Sequence, residues 1–131
     1  DTEYVLMFRK PGGYRRPTLE QRVLSLIDKQ DHARWFRSVW TDIRGASTRD
    51  GHPAPFPTEL AYRLIRMFSF VGDTVLDPFL GSGTTTEAAI LASRNSVGFE
   101  IEPTYFAQVR RRFAQLRADA TVEFDADHRA C

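Results

Sequence analysis

Val75-Leu76-Asp77-Pro78-Phe79-Leu80-Gly81-Ser82-Gly83-Thr84-Thr85 decides the fold: a short apolar strand runs into a glycine loop, and the loop opens a helix. Small residues at 81 to 83 let a ligand approach the main chain, and the unpaired amides at the helix start favour a carboxylate or a phosphate. Glu100 follows Asp77 by 23 residues, at the end of the next expected strand. An acid there can accept hydrogen bonds from ribose hydroxyls. The dinucleotide form of this arrangement wants a third glycine at position 86, where this chain has Thr86. A nucleoside with a small charged tail therefore suits the loop better than a pyrophosphate.

Working outward, Thr58 to Ser69 places Leu60, Ala61, Leu64, Ile65 and Phe68 on one helical face with Arg63 and Arg66 off it, which predicts an amphipathic helix. Gly72-Asp73 predicts a turn, Thr74 to Asp77 a strand, Thr84 to Ser93 a helix and Ser96 to Ile101 a second strand. Pro103 opens a further helix marked by Tyr105, Phe106, Val109, Phe113 and Leu116, with Arg110 to Arg112 on a solvated outer face. Val122 to Phe124 reads as one more short strand. This alternation is that of an α/β fold with a parallel sheet and right-handed crossovers. Ahead of it, Tyr4 to Phe8 reads as a strand, and Lys10-Pro11-Gly12-Gly13 breaks it. Thr18 and Gln21 have capping-box spacing for a helix reaching about Lys29. Residues 33 to 40, with Trp35, Phe36 and Trp40, read as a short helix whose aromatics pack as a satellite core. The prolines and glycines from Arg44 to Pro57 impose an irregular loop.

The chain has 131 residues, 42% of them hydrophobic and 27% charged, which fits one folded domain and excludes a disordered tail or a collagen-like repeat. No apolar run approaches 18 residues, so no membrane span is expected, and no secretory leader pattern opens the chain. The single cysteine and three histidines make neither an internal disulfide nor a structural zinc site, and a reducing cytoplasmic setting is expected. Asp125, Asp127 and His128 read as a solvated end rather than a metal site. Net charge is only +1, yet residues 1 to 50 hold ten Lys/Arg against seven Asp/Glu and residues 51 to 131 eight against ten. Within the basic front, Arg9, Lys10, Arg15 and Arg16 flank glycine and proline loops that can follow a nucleic-acid backbone, and they are the candidate phosphate contacts. The chain opens on Asp1 directly before the Tyr4–Phe8 strand, so it is expected to begin inside a larger structure.

Asp-Pro-Phe-Leu-Gly-Ser-Gly-Thr-Thr at 77 to 85 resembles the S-adenosylmethionine motif of the bacterial DNA amino-methyltransferases, which modify cytosine N4 or adenine N6. His52-Pro53-Ala54-Pro55-Phe56-Pro57 resembles that family's His-Pro motif beside the methionine end of the cofactor. Gly98-Phe99-Glu100-Ile101-Glu102 resembles its ribose-binding strand end. Glu3 to Gly12 is similar to the strand that closes the catalytic half where that half precedes the cofactor half, the beta-class order. The resemblance implies a Rossmann-like methyltransferase sheet, incomplete in this chain. Residues 1 to 51 would form the end of the catalytic half, with DNA contacts, and 52 to 131 the cofactor-binding part. It further implies that Asp77, Pro78, Phe79, Gly81, Ser82, Gly83, Thr84 and Thr85 line the S-adenosylmethionine pocket. Glu100 and Ile101 would hold the nucleoside, and His52, Pro53, Ala54, Pro55 and Phe56 would close over the methionine. The commoner His-Pro motif continues Thr-Gln-Lys-Pro; the apolar version here leans toward the cytosine N4 members.

The family's catalytic motif, Asp or Ser followed by Pro-Pro and an aromatic, is absent from these residues, since no Pro-Pro pair occurs. A flipped base would find no stacking platform and no amine acceptor. The expected function is thus that of a DNA methyltransferase fragment, inactive alone, which acts on DNA together with a missing N-terminal half or a separate catalytic subunit, and which self-associates, as a homodimer for instance, when isolated. The alternatives are a catalytically silent cofactor-binding module or partner subunit, and a different Rossmann-like nucleotide binder.

Overall fold

The computed structural model describes residues 3–45, 56–114 and Glu123. Its elements are α1 (Leu19–Leu24), α2 (Lys29–Trp35), α3 (Thr58–Phe68), β1 (Thr74–Asp77), α4 (Thr84–Leu91), β2 (Asn95–Gly98) and α5 (Pro103–Phe113). Among the described residues β1 and β2 form a two-stranded parallel sheet, with Thr74 opposite Asn95 and Asp77 opposite Gly98. This is a small open α/β sheet flanked by helices. The turn at Gly72-Asp73 forms as expected: Gly72 has φ of +78°, and the Asp73 carboxylate accepts from the Phe70 amide at 2.8 Å.

The core is built from small side chains. Ala88, Ala89 and Ala92 from α4 and its end meet Ala61 and Ile65 of α3, with Tyr62 and Val75 packed against them. Alanines on both helices let α3 and α4 lie close, and Val75 brings one sheet face onto the same cluster. A hydroxyl pair, Thr86 Oγ1 and Ser96 Oγ at 2.9 Å, ties α4 to β2. On the opposite sheet face Leu76 and its registered partner Val97 stay exposed.

Several expectations need correction. Tyr4 to Phe8 forms no strand and pairs with nothing in the sheet; all five side chains are exposed. The helix expected from Thr18 to about Lys29 is shorter, and the helix expected from residue 33 begins earlier, at Lys29. Thr18 and Gln21 form the capping box as read, but α1 ends at Ser25, and Asp28 then caps α2 by accepting from the amides of Gln30 and Asp31. The aromatic helix accordingly starts at Lys29 and ends at Trp35. The second strand ends at Gly98 rather than Ile101. Beyond it the backbone makes two more cross-links, Phe99 N–H to Asp77 O at 3.0 Å and Leu80 N–H to Phe99 O at 2.8 Å, and Pro78 has no N–H to continue a ladder.

The largest correction lies on α3. Arg63, expected off the apolar face, is buried at 2% exposure, whereas Phe68 is half exposed. The helix has two packed sides: one meets α4, and the other receives Trp35 and Trp40. Arg63 sits among these rings with its guanidinium forked onto Asp42 (3.0 and 2.9 Å) and its Nε on Glu59 (2.7 Å). Trp35 is buried, as a satellite core requires, and Trp40 is partly buried, but Phe36, expected in the same cluster, is half exposed. Of the strand expected at Val122–Phe124 only Glu123 is described, and Leu116, Asp125, Asp127, His128 and Cys131 lie outside the described residues.

Candidate functional site: the β1–α4 loop

Asp77 ends β1, and its carboxylate accepts from the Phe79 amide at 3.0 Å, turning the chain at Pro78. Gly81 then takes φ of +53° and Gly83 +82°, left-handed values that an L side chain adopts only at a cost. Gly83 is the N-cap of α4. The first amides of that helix have no intrahelical acceptor, by helix geometry, and concentrate partial positive charge at Thr84 and Thr85. A Cβ on Gly83 would lie 2.7 Å from the Phe113 ring, so α5 presses on the back of the loop.

Glu100 stands beside this loop after β2. One carboxylate oxygen accepts from the Gly81 amide at 2.7 Å and the other from the Glu102 amide at 2.8 Å. The acid thus fixes the loop's entry, and each oxygen keeps a second lone pair for a further donor. Phe79 and Ile101, on the loop and just past Glu100, are 88% and 98% exposed, apolar surfaces offered to solvent. Phe56 and Thr85 line an apolar hollow of about 270 Å³ with Leu60, Ala61, Leu64 and Ile65. The structure therefore brings Asp77, Pro78, Phe79, Gly81, Ser82, Gly83, Thr84, Thr85, Glu100 and Ile101 onto two neighbouring strand ends, with Phe56 by the start of α3. His52, Pro53, Ala54 and Pro55 lie outside the described residues.

The basic front is placed differently from residue to residue. Arg9 stacks its guanidinium 4.4 Å over the Tyr14 ring. Arg15 pairs with Asp73 and reaches Gln21 Oε1 at 3.3 Å, so it latches the front segment to the turn before β1. Lys10 and Arg16 are exposed. Arg112, assigned to a solvated face in the sequence, instead donates to Ser82 O at 2.7 Å and to Glu87 Oε2 at 2.6 Å. No spacing rule signals that contact, because its partners lie 30 and 25 residues away. No group of metal-ligating side chains occurs among the described residues, and none of their helices is long and apolar enough to cross a membrane.

A parallel strand pair with a glycine loop at the first strand end and an acid at the second defines a Rossmann-like nucleoside-binding class. The sequence matches the family of DNA methylases over residues 1–111. The chain belongs to that family, the N4/N6 DNA amino-methyltransferases. It is 47% identical over 112 residues to the type II methyltransferase M.MthZI of Methanothermobacter thermautotrophicus, covering 79% of this chain and 32% of that protein. It is 41% identical over 132 residues to M.MjaI of Methanocaldococcus jannaschii, covering 95% of this chain and 44% of that protein. The chain thus spans less than half the length of these relatives. Among solved structures it is similar to a protein of Thermus thermophilus assigned as a DNA modification methylase and crystallised with S-adenosyl-L-methionine. That match has a TM-score of 0.73 and 55% identity, over 81% of this chain and 41% of the other.

Proposed function

We propose that this chain is the cofactor-binding part of a DNA amino-methyltransferase and holds S-adenosylmethionine on the Asp77–Thr85 loop and Glu100. The observation that carries the reading is the pairing of loop and acid. Gly81 and Gly83 strip side chains from the approach to the α4 amides, and Glu100 is held at the loop entry with lone pairs to spare. The donor set fits the cofactor: α4 amides suit its carboxylate, Asp77 its ammonium, Glu100 its ribose hydroxyls, and the exposed Phe79 and Ile101 the faces of adenine. The 55% identity to a methylase crystallised with that cofactor supports the same assignment.

The cofactor supplies a methyl group activated by an adjoining sulfonium charge. What these residues contribute is orientation: loop and acid fix the two ends of the ligand, leaving the methyl to be presented along one line. The hollow beside Thr85, lined by Phe56, offers apolar surface on that side. The amine acceptors and the stacking aromatic belong to an Asp/Ser-Pro-Pro-aromatic motif outside these residues, on a preceding half or a separate subunit. The target is proposed as the N4 amine of cytosine, on the apolar His-Pro sequence at 52 to 57, with basic residues Lys10 and Arg16 toward DNA phosphates.

Titration calorimetry checks the cofactor. S-adenosylmethionine or its demethylated product should give saturable heat and NAD none; a folded protein silent to millimolar S-adenosylmethionine would overturn the assignment. The 131 residues alone should transfer no labelled methyl to DNA, and joining them to a segment bearing the missing motif should restore transfer. Without such rescue, the silent binding module is the better reading. Nucleoside analysis of the product should show N4-methylcytosine; N6-methyladenine would reverse the choice of base.

A further inference from the structure

We infer that Arg112 is a positioning residue for the cofactor loop: it pins the Ser82–Gly83 peptide plane from behind so that the loop amides keep facing the ligand. This deepens the proposed function and rests on that reading of the loop. The plane is held at both ends. Its carbonyl, Ser82 O, accepts from Arg112 Nη1 at 2.7 Å, and its N–H, on Gly83, donates to Leu80 O at 2.9 Å. A peptide with glycine on one side, and a second glycine one residue further back, rotates cheaply, because glycine populates positive and negative φ almost equally. Rotation of this plane would carry the Ser82 carbonyl toward the ligand side and place a partial negative charge where a ligand carboxylate is to sit. One buried contact adds bulk to the restraint: the Phe113 ring rests where a Gly83 Cβ would be.

The second nitrogen of Arg112 fixes the first. Nη2 donates to Glu87 Oε2 at 2.6 Å, and the same oxygen accepts from Thr58 Oγ1 at 2.7 Å. A planar guanidinium with one edge on Glu87 has its other nitrogen aimed in a set direction, which a lysine ammonium cannot reproduce. Arg112 on α5, Glu87 in the first turn of α4 and Thr58 at the start of α3 therefore form one chain of contacts to the loop, separate from the bonds that Asp77 and Glu100 make to the Phe79 and Gly81 amides.

The test uses the intact protein with Arg112→Ala, Arg112→Lys and Glu87→Gln, read by S-adenosylmethionine affinity and by amide hydrogen exchange at Gly83. The charge-assisted bond to Ser82 O is expected to be worth at least about a tenfold change in each reading. Arg112→Ala should raise both the dissociation constant and the Gly83 exchange rate on that order, with core amides such as that of Val75 unchanged. Arg112→Lys should fall between, and Glu87→Gln, which keeps an acceptor oxygen, should stay within about twofold of wild type. Unchanged Gly83 exchange, or unchanged affinity, in Arg112→Ala overturns the inference. If that variant fails to fold, Arg112→Lys with wild-type values overturns it equally. A wild-type protein that binds no S-adenosylmethionine would instead sink the function on which the inference stands, and the two failures are told apart by the wild-type titration.

Discussion

Glu100 holds the loop and, in the proposed function, also the ligand, and substituting it should disclose both. Its carboxylate is the acceptor for the Gly81 amide, so Glu100→Ala unfastens the loop entry as well as removing the proposed ribose contact. Cofactor affinity is expected to fall by about 1.5–3 kcal/mol, the usual worth of a hydrogen bond to a charged group. A titration with unchanged affinity would move the ribose contact elsewhere, Glu102 being the nearest acid in sequence. Gly83→Ala makes a separate case. The left-handed backbone alone costs a non-glycine residue about 1–2 kcal/mol, and the new methyl would meet the buried Phe113 ring. Thermal melting should show the loss, and a second change, Phe113→Leu, should recover only the part due to the clash. That Asp77, the glycines and Glu100 come together was legible because the order strand, loop, helix, strand sets their placing. It hid Arg63 and Arg112, because an arginine reads as surface until the acids that meet it, Asp42 and Glu87, are brought over by the chain's path.

At the scale of elements, β1 was legible to the residue, and α3, α4 and α5 to within a residue or two of the described ends, since α3 and α5 are periodic and Pro57, Gly83 and Pro103 mark the three helix starts. The position of the α1–α2 break was not, because Asp28 reads equally well as a helix interior and as the new cap it proves to be. Caps can be checked individually: Thr18→Ala should destabilise the α1 region by about 1 kcal/mol, measured by denaturant unfolding. The clasp of Arg63 on Asp42 gives a pH signature. The hydrogen bond from Arg63 holds the Asp42 carboxyl below its ordinary value of 3.8. A depressed acid contributes stability that is complete above the unfolded value and is lost as pH falls through the folded one. Acidification from about pH 5 should therefore leave the Trp35 and Trp40 fluorescence steady until below 3.8, and Asp42→Asn should abolish that late transition. A wild-type transition centred well above that value would contradict the clasp.

Across the whole molecule, apolar surface is spread unevenly. Leu76 and Val97 cover one sheet face with nothing upon them among the described residues, and Tyr4 to Phe8 present five consecutive large side chains to solvent. Surfaces of this kind associate. The isolated chain should sediment as concentration-dependent oligomers, and Leu76→Lys with Val97→Glu should shift it toward monomer without lowering its melting point; a strictly monomeric wild-type chain would count against the exposed sheet face as the cause. The contacts also differ in how far along the chain they reach. Glu100 and Gly81 are 19 residues apart and Arg112 and Ser82 30, whereas Gln21 reaches Val71 across 50 and Arg15 reaches Asp73 across 58. Closing a short loop costs less chain entropy and happens sooner. In a refolding chain the ligand loop, its acid and its arginine brace should thus gain protection first in pulse-labelled exchange, with the basic front fastening afterwards. The part that would hold the methyl donor is then the seed of the structure, and the part proposed to face DNA is laid on it later.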